Sequence, residues 1–292
     1  LQAAGFTVET HLTTGPGDAT LLARRFAEQQ VDTVLCVGGD GTTNEVVNGL
    51  ISHDAPVSPT TRLAIVPCGT GKDLARSLGT RSVEATIAAL QAGSTGRADV
   101  GRIQYIDART GHLESRYFAN VADAGIGAAT ADRINASSKA LGGLVSYLTG
   151  AVKSIAAYEP WDATIEVDGV EVYSGLVGMV VFANGRYFAG GMLVAPDASI
   201  SDGRLDIFVL EHVGKRALLT SLLPRVYRGR HIGRPGVRHL HGASATVRSA
   251  DDMLVEMDGE QVGRVPITVG VVPRALTVVG DAESLLRCGC SA

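Results

Sequence analysis

Aromatic side chains are scarce in this 292-residue chain: one Trp, seven Tyr and six Phe, 5% in all. Cysteine is scarcer still, with Cys36, Cys68, Cys288 and Cys290 only. Four thiols are too few to staple a chain of this length, which excludes a disulfide framework and favours a reducing compartment. Cys288-Gly-Cys290 lacks both partner ligands and the two-residue spacing of zinc sites. Positive charge is not in excess, since 26 basic residues face 30 acidic ones for a net charge of −4. That weighs against nucleic acid as a partner, which a basic domain normally serves. Long hydrophobic runs are missing: the apolar stretch at 176–183 falls far short of the ~18–20 residues of a membrane span. Leu1 opens an amphipathic-looking segment with no basic n-region, so no signal peptide is expected, and the location reads as cytoplasmic or peripheral on the inner membrane face. Residues 1–5 read like the end of a helix, which predicts that the natural chain begins further upstream. What is plentiful is glycine, 36 residues. They follow no collagen-like period and are expected in tight loops and close backbone approaches.

Two halves differ in pattern. Residues 1–100 alternate strand and helix: short β-favouring 6–12, a turn at 15–18, a helix capped by Asp18 and running to about 30, and an apolar run at 31–37 that reads as a strand buried on both faces. A helix at 43–52, a buried strand at 63–66 and helices at 72–78 and 82–92 follow. Short connections between strand and helix argue a doubly wound, parallel α/β domain over 1–100. Beyond Asp99, strands follow strands at 100–106, 116–122, 163–167, 170–173, 175–183, 205–210, 245–248, 254–257 and 266–272, separated by Asp-Gly and Asn-Gly turns. Only 137–158 and 215–227 read as helices. The expectation for 101–292 is a mostly antiparallel β-sandwich domain, with the last residues returning to the first domain.

The densest signal is Gly38-Gly39-Asp40-Gly41-Thr42-Thr43-Asn44-Glu45, directly after a buried strand and opening a helix. Glycines let backbone N–H groups approach a phosphate, and a helix N-terminus adds a favourable dipole. A carboxylate there is awkward beside phosphate unless a cation or a ribose hydroxyl lies between, so Asp40 suggests a metal–nucleotide rather than a bare anion. The plain alternative is a tight turn with Asp40 as a cap. Pro67-Cys68-Gly69-Thr70-Gly71-Lys72-Asp73 repeats the logic at the next strand, where open α/β sheets bind ligands. It is no Walker A loop, because position 66 is Val and position 73 is Asp. Gly125-Ile-Gly127 is an incomplete dinucleotide fingerprint, and neither a Gly-x-Ser-x-Gly elbow nor a His-Glu-x-x-His motif is present. Asp258-Gly259-Glu260 follows an apolar strand and places two carboxylates around a glycine; the plain alternative is a hairpin with a solvated acid.

In these residues the chain resembles the diacylglycerol kinase catalytic-domain family of lipid kinases. The family carries Gly-Gly-Asp-Gly-Thr with a following Asn-Glu, here 38–45, and Pro-x-Gly-Thr-x-Asn-Asp, here 67–73 with Lys72 in place of Asn. Its second domain shows runs like Asn184-Gly185, Gly190-Gly191, Ala195-Pro196, Asp202-Gly203-x-Leu205-Asp206 and Asp258-Gly259-Glu260. The family's opening strand with its Asn-Pro turn is absent. The resemblance implies transfer of the γ-phosphate of ATP to a lipid hydroxyl, in a cleft between the two domains. By position it implies nucleotide contacts at Thr13, Gly38, Gly39, Asp40, Gly41, Thr42, Thr43, Asn44 and Thr70. It also implies Mg²⁺, with a structural ion held by the carbonyls of Ser199 and Arg204 and the carboxylate of Asp202, and a base at Glu260 or Asp258. Asp99 reads as a hinge, a metal-network residue or a cap. NAD kinases and phosphofructokinases share the Gly-Gly-Asp-Gly loop and are the enzymatic alternatives; a nucleotide-binding module without catalysis is the other.

Between Glu211 and Asp251 there is no acidic residue, but Lys215, Arg216, Arg225, Arg228, Arg230, Arg234, Arg238, Arg248 and four histidines, His212, His231, His239 and His241. Such a stripe suits an anionic membrane surface, or is an ordinary solvated face. The apolar positions Leu141, Leu144, Tyr147, Leu148 and Val152 are expected in the core of helix 137–158.

Overall fold

The computed structural model describes residues 1–69, 71–135 and 143–290. Helix α1 (Asp18–Glu28) buries Ala19, Ala23 and Ala27, which at four-residue spacing share one face. Strand β1 (Thr33–Gly38) leads through Gly39 into α2 (Asp40–Leu50). After a small hairpin, β2 (Ile51–Ser52) with β3 (Ala55–Pro56), strand β4 (Arg62–Pro67) lies parallel to β1. Helices α3 (Asp73–Ser77) and α4 (Val83–Gln91) follow, α4 capped by the Ser82 hydroxyl. Alternate strand residues face opposite helix layers. Val34, Cys36, Leu63 and Ile65 pack with α1 and α2, while Leu35 and Ala64 meet Ala89 and Leu90 of α4. Helices on both faces of parallel strands make this half doubly wound. β1 is the edge of the sheet, so Val37 is 60% exposed rather than buried on both faces. Residues 6–12 form no strand, because nothing among the described residues pairs with them.

The second half runs β5 (Thr95–Asp107), β6 (Leu113–Phe118), β7 (Val121–Gly125), α5 (Ile126–Asn135), α6 (Gly143–Ala157), β8 (Trp161–Val167), β9 (Val170–Ala183) and β10 (Leu205–Glu211). A helical stretch at 215–226, then β11 (Val237–Gly242), β12 (Ser244–Ser249), β13 (Leu254–Met257), β14 (Glu260–Val279) and a last helix, Ala282–Arg287, complete it. β8 shows the period of two plainly: Ala163, Ile165 and Val167 point to the core and Asp162, Thr164 and Glu166 do not.

Two long strands build the sandwich by serving both of its sheets. The first part of β9 pairs with β8 and its last part with β7 and β10. β14 likewise pairs first with β13 and, beyond a register shift between Arg264 and Thr268, with β12. β12 pairs with β8 and β13 with β7, so the two sheets meet at shared corners. Irregular register at a corner is how one strand turns from one sheet to another. The core between them contains Ile103, Ile165, Phe182, Ile207, Met253, Val255 and Ile267. After a second shift, between Val272 and Leu276, β14 runs parallel to β4 in the α/β sheet, antiparallel to the start of β5. Cys288 and Cys290 finish in the core of the first half. Leu141, and the side chains of Leu144, Tyr147 and Leu148, lie outside the described residues; Val152 is 44% exposed, not core.

Candidate active site

The carboxyl ends of β1 and β4 bring the two glycine loops into contact. A Cβ on Gly69 would lie 2.7 Å from the Gly39 Cα, and one on Gly71 only 2.0 Å from Asp40 Oδ2. Side chains at these two positions would force the loops apart. Through the gap, the Asp40 carboxylate accepts from Lys72 N at 3.1 Å and Asp73 N at 3.3 Å. Asp40 therefore fastens the start of α3 instead of capping its own helix. Burial pushes its carboxyl above the usual range, against the pull of these amides and of Arg76.

Asp73 is more strongly affected. Burial raises its pKa to about 7, while Gly190 N, donating at 2.8 Å, pulls it back and the nearby Asp40 adds to the rise. Its Oδ1 is buried without a hydrogen-bond partner, and Arg76 Nε stands 3.9 Å away. A buried carboxyl with one oxygen unsatisfied, beside the half-buried Asp40, is the donor chemistry of a hard dication. Asp73 escaped functional notice in the sequence because it also reads as an ordinary first-turn helix acid.

A cleft of about 470 Å³ opens beside the loops, lined among others by Thr13, Thr14, Gly39, Gly41, Thr42 and Glu260. Five of the expected residues, Thr13, Gly39, Gly41, Thr42 and Glu260, thus share one space. Glu260 begins β14, and its Oε1 lies 2.9 Å from where a Cβ on Gly41 would stand. Its carboxylate is 44% exposed and faces Arg116 Nη2 at 3.6 Å.

Asp258 is placed quite differently. Its two oxygens accept from Ala119 N (2.9 Å), Asn120 N (3.1 Å), Val121 N (3.1 Å) and Asn44 Nδ2 (2.9 Å). A carboxylate with four donors holds the bend between β6 and β7 and has no capacity left for a substrate proton. Thr43 and Asn44, expected at the nucleotide, point inward. Thr43 Oγ1 donates to Gly39 O at 3.0 Å, and Asn44 is 1% exposed. Asn44 also donates to Tyr117 O and accepts from Arg116 Nη2, both at 2.9 Å. These side chains support the loop from behind, since helical spacing turns positions 43 and 44 toward the core. Gly38 closes β1, and Thr70 lies outside the described residues. Glu45 pins the start of α1 by accepting from Gly17 N (2.9 Å) and Ala19 N (3.1 Å), a role that only spatial neighbours could show.

Ser199, Asp202 and Arg204 surround the turn before β10. Asp202 is exposed and its Oδ1 accepts from Arg204 N at 3.1 Å. Asp99 is buried beneath, accepting from Gly203 N (2.7 Å) and Arg274 N (2.6 Å); burial raises its carboxyl, and the Asp202 charge adds to that. Two acids at an Asp-Gly turn fit a cation that keeps several waters.

Behind the Asp258–Glu260 turn, Asp123 on β7 and Glu256 on β13 are direct partners in register and both fully buried. Burial raises Asp123 to about 6 and, with the Asp123 charge beside it, lifts Glu256 well above its usual value. Glu256 also accepts from Gly259 N, tying the pair to the turn. Acids with raised folded-state pKa values contribute full stability below their unfolded values near ~4 and lose it as pH climbs through the folded ones. The urea midpoint should therefore fall between pH ~4 and ~7, and Asp123→Asn should flatten that fall. Parallel pH profiles for parent and variant would show that the pair is not its source.

Comparison with known proteins bears on the family and the fold. Residues 1–103 match the family model described as diacylglycerol kinase catalytic domain, and 120–280 the YegS C-terminal NAD kinase beta sandwich-like domain. A diacylglycerol kinase of Bacillus subtilis is 32% identical over 91% of this chain and 83% of its own length. One from Staphylococcus saprophyticus is 30% identical over 91% and 82%. A crystal structure of a putative diacylglycerol kinase from Bacillus anthracis superposes with a TM-score of 0.75 at 25% identity, covering 97% of this chain and 89% of that one. An NAD kinase from Archaeoglobus fulgidus, at 14% identity and a TM-score of 0.50 over 95% and 86%, shares the fold.

Proposed function

Because the chain belongs to the diacylglycerol kinase family of lipid kinases, we propose that it transfers the γ-phosphate of ATP to the free hydroxyl of diacylglycerol at this cleft. One observation supports the reading above others: a half-exposed carboxylate, Glu260, faces the same space as the glycine loop and Thr13. Phosphoryl transfer needs positioning and charge neutralisation more than covalent chemistry. The backbone at 39–42 and the hydroxyls of Thr13 and Thr42 bind and orient the phosphates. Glu260 takes the proton of the lipid hydroxyl as its oxygen bonds to the γ-phosphorus and the bond from phosphorus to the ADP oxygen breaks. Arg116, held by Asn44, keeps Glu260 in place. Mg²⁺ would supply neutralisation of the phosphate charge, with Asp40 and Asp73 as the residues to hold it. A second Mg²⁺ would sit with Asp202 and the carbonyls of Ser199 and Arg204 in a structural capacity.

The lipid acceptor lies in a bilayer, and no helix among the described residues is long and apolar enough to cross one. Reach to the lipid would come from the basic stripe. Arg238, Arg248 and Lys215 pair with Glu211, Glu166 and Glu159, whereas Arg228, Arg230 and Arg234 are exposed with no ion-pair partner among the described residues. Those three would contact anionic headgroups, worth ~1 kcal/mol each. The test is labelled ATP with anionic vesicles carrying diacylglycerol. Phosphatidic acid should form, more slowly as salt approaches ~1 M, and Asp40→Asn should sharply weaken MgATP binding in a folded protein. Phosphorylation of NAD or a sugar phosphate instead, or unchanged MgATP affinity in Asp40→Asn, would overturn the reading.

A further inference from the structure

On the far ribbon of the sandwich, β10 and β11 bring together three side chains that the kinase cleft does not use. Asp206 is paired in register with His241, and Phe208 with His239. Residues two apart on a strand share a face, so both imidazoles stand over the same side of the ladder as Asp206. The Asp206 side chain is only 8% exposed, and its Oδ1 lies 2.6 Å from His239 Nε2 and 3.2 Å from His241 Nε2. Among the described residues no Lys or Arg pairs with this buried carboxylate; the two imidazole nitrogens are the groups that approach it. Phe208 stacks flat on His239, with centroids 4.4 Å apart and planes 8° apart, which fixes that ring. The two histidine rings are tilted by 52°, so their Nε2 atoms converge on Asp206.

We propose that Asp206, His239 and His241 form a binding site for a divalent transition-metal ion of the zinc class. The three ligand atoms lie within 4.8 Å of one another. Around a tetrahedral ion with bonds of ~2.0–2.2 Å, ligand atoms sit roughly 3.4 Å apart. The contact to His241 already has nearly that length, and the one to His239 must open by less than about 1 Å. Imidazole with carboxylate selects Zn²⁺, Co²⁺, Ni²⁺ or Cu²⁺ over Mg²⁺. Binding an ion would displace the proton that the 2.6 Å hydrogen bond between His239 Nε2 and Asp206 Oδ1 requires, so that the Nε2 lone pairs and the carboxylate face the metal. His241 is half-exposed, leaving the fourth position to water. A bound ion would staple the outer strand β11 to β10.

The site is tested on the full chain, stripped with a chelator and then titrated with Co²⁺ in excess Mg²⁺, which occupies oxygen-donor sites. One equivalent should bind with the visible d–d absorption of a four-coordinate nitrogen–oxygen site, and Zn²⁺ should displace it. His241→Gln, at a half-exposed position, should keep the metal-free unfolding midpoint and bind both ions at least about tenfold more weakly; His239→Gln should do the same to binding. Absence of a saturable band would overturn the proposal. So would parental affinity in both variants, or a thiolate charge-transfer band, which would make cysteines the ligands.

Discussion

Glu260→Gln should lower kcat by about 10²–10⁴-fold while MgATP affinity stays close to that of the parent. Gln keeps the length and hydrogen-bonding reach of Glu but cannot accept a proton at neutral pH. In barrier terms the loss is ~3–5 kcal/mol. The side chain is half-exposed and meets one cation, Arg116, so the change should leave unfolding within ~0.5 kcal/mol of the parent. Lipid phosphorylation and nucleotide binding, measured on the same preparation, separate the two effects. A variant within a few-fold of parental turnover would remove Glu260 from the role of base.

Asp258→Ala should act on stability instead. Removing the carboxylate strands the amides of Ala119, Asn120 and Val121 and the Asn44 side chain inside the protein. Each buried donor left without an acceptor costs ~1–3 kcal/mol, so a loss of several kcal/mol, and poor folding, is expected. Asp258→Asn retains one acceptor oxygen and points an N–H₂ at the remaining donors, an intermediate case that should stay foldable. Its urea midpoint should fall well below that of Glu260→Gln. If Asp258→Asn is instead as stable as the parent and loses turnover a hundredfold or more, the two carboxylates have been assigned the wrong way round.

Much of the architecture follows from local pattern. The period-two burial of β8, the four-residue stripe of α1 and the glycine loops after β1 and β4 are properties of neighbours in the chain, and sequence reads neighbours well. β14 shows where that ends. Gly263, Pro266, Gly270 and Pro273 punctuate it, so sequence reads one short strand at 266–272. The structure has a single strand of 20 residues that pairs in turn with β13, β12 and β4 and along most of its length with β5, and these pairings carry it through its irregularities. β11, mostly polar and at the sheet edge, has too weak an alternation to be read at all.

The candidate site divides in the same manner. By itself the sequence determined that two glycine loops follow parallel strands and that Asp40, Asp258 and Glu260 stand in motifs suited to phosphoryl transfer, because residue type and spacing fix backbone freedom and charge. Only the tertiary structure decided which acids are free to react. Asp258 and Glu260 are two residues apart, yet one is enclosed by four donors from α2 and the β6–β7 bend, and the other opens on the cleft. Asp73 and Asp40, or Asp206 and His239, become partners through strand order and register across gaps of 33 residues each. Desolvation and hydrogen bonding depend on what surrounds a group in space, and the chain's own order does not contain that information in readable form.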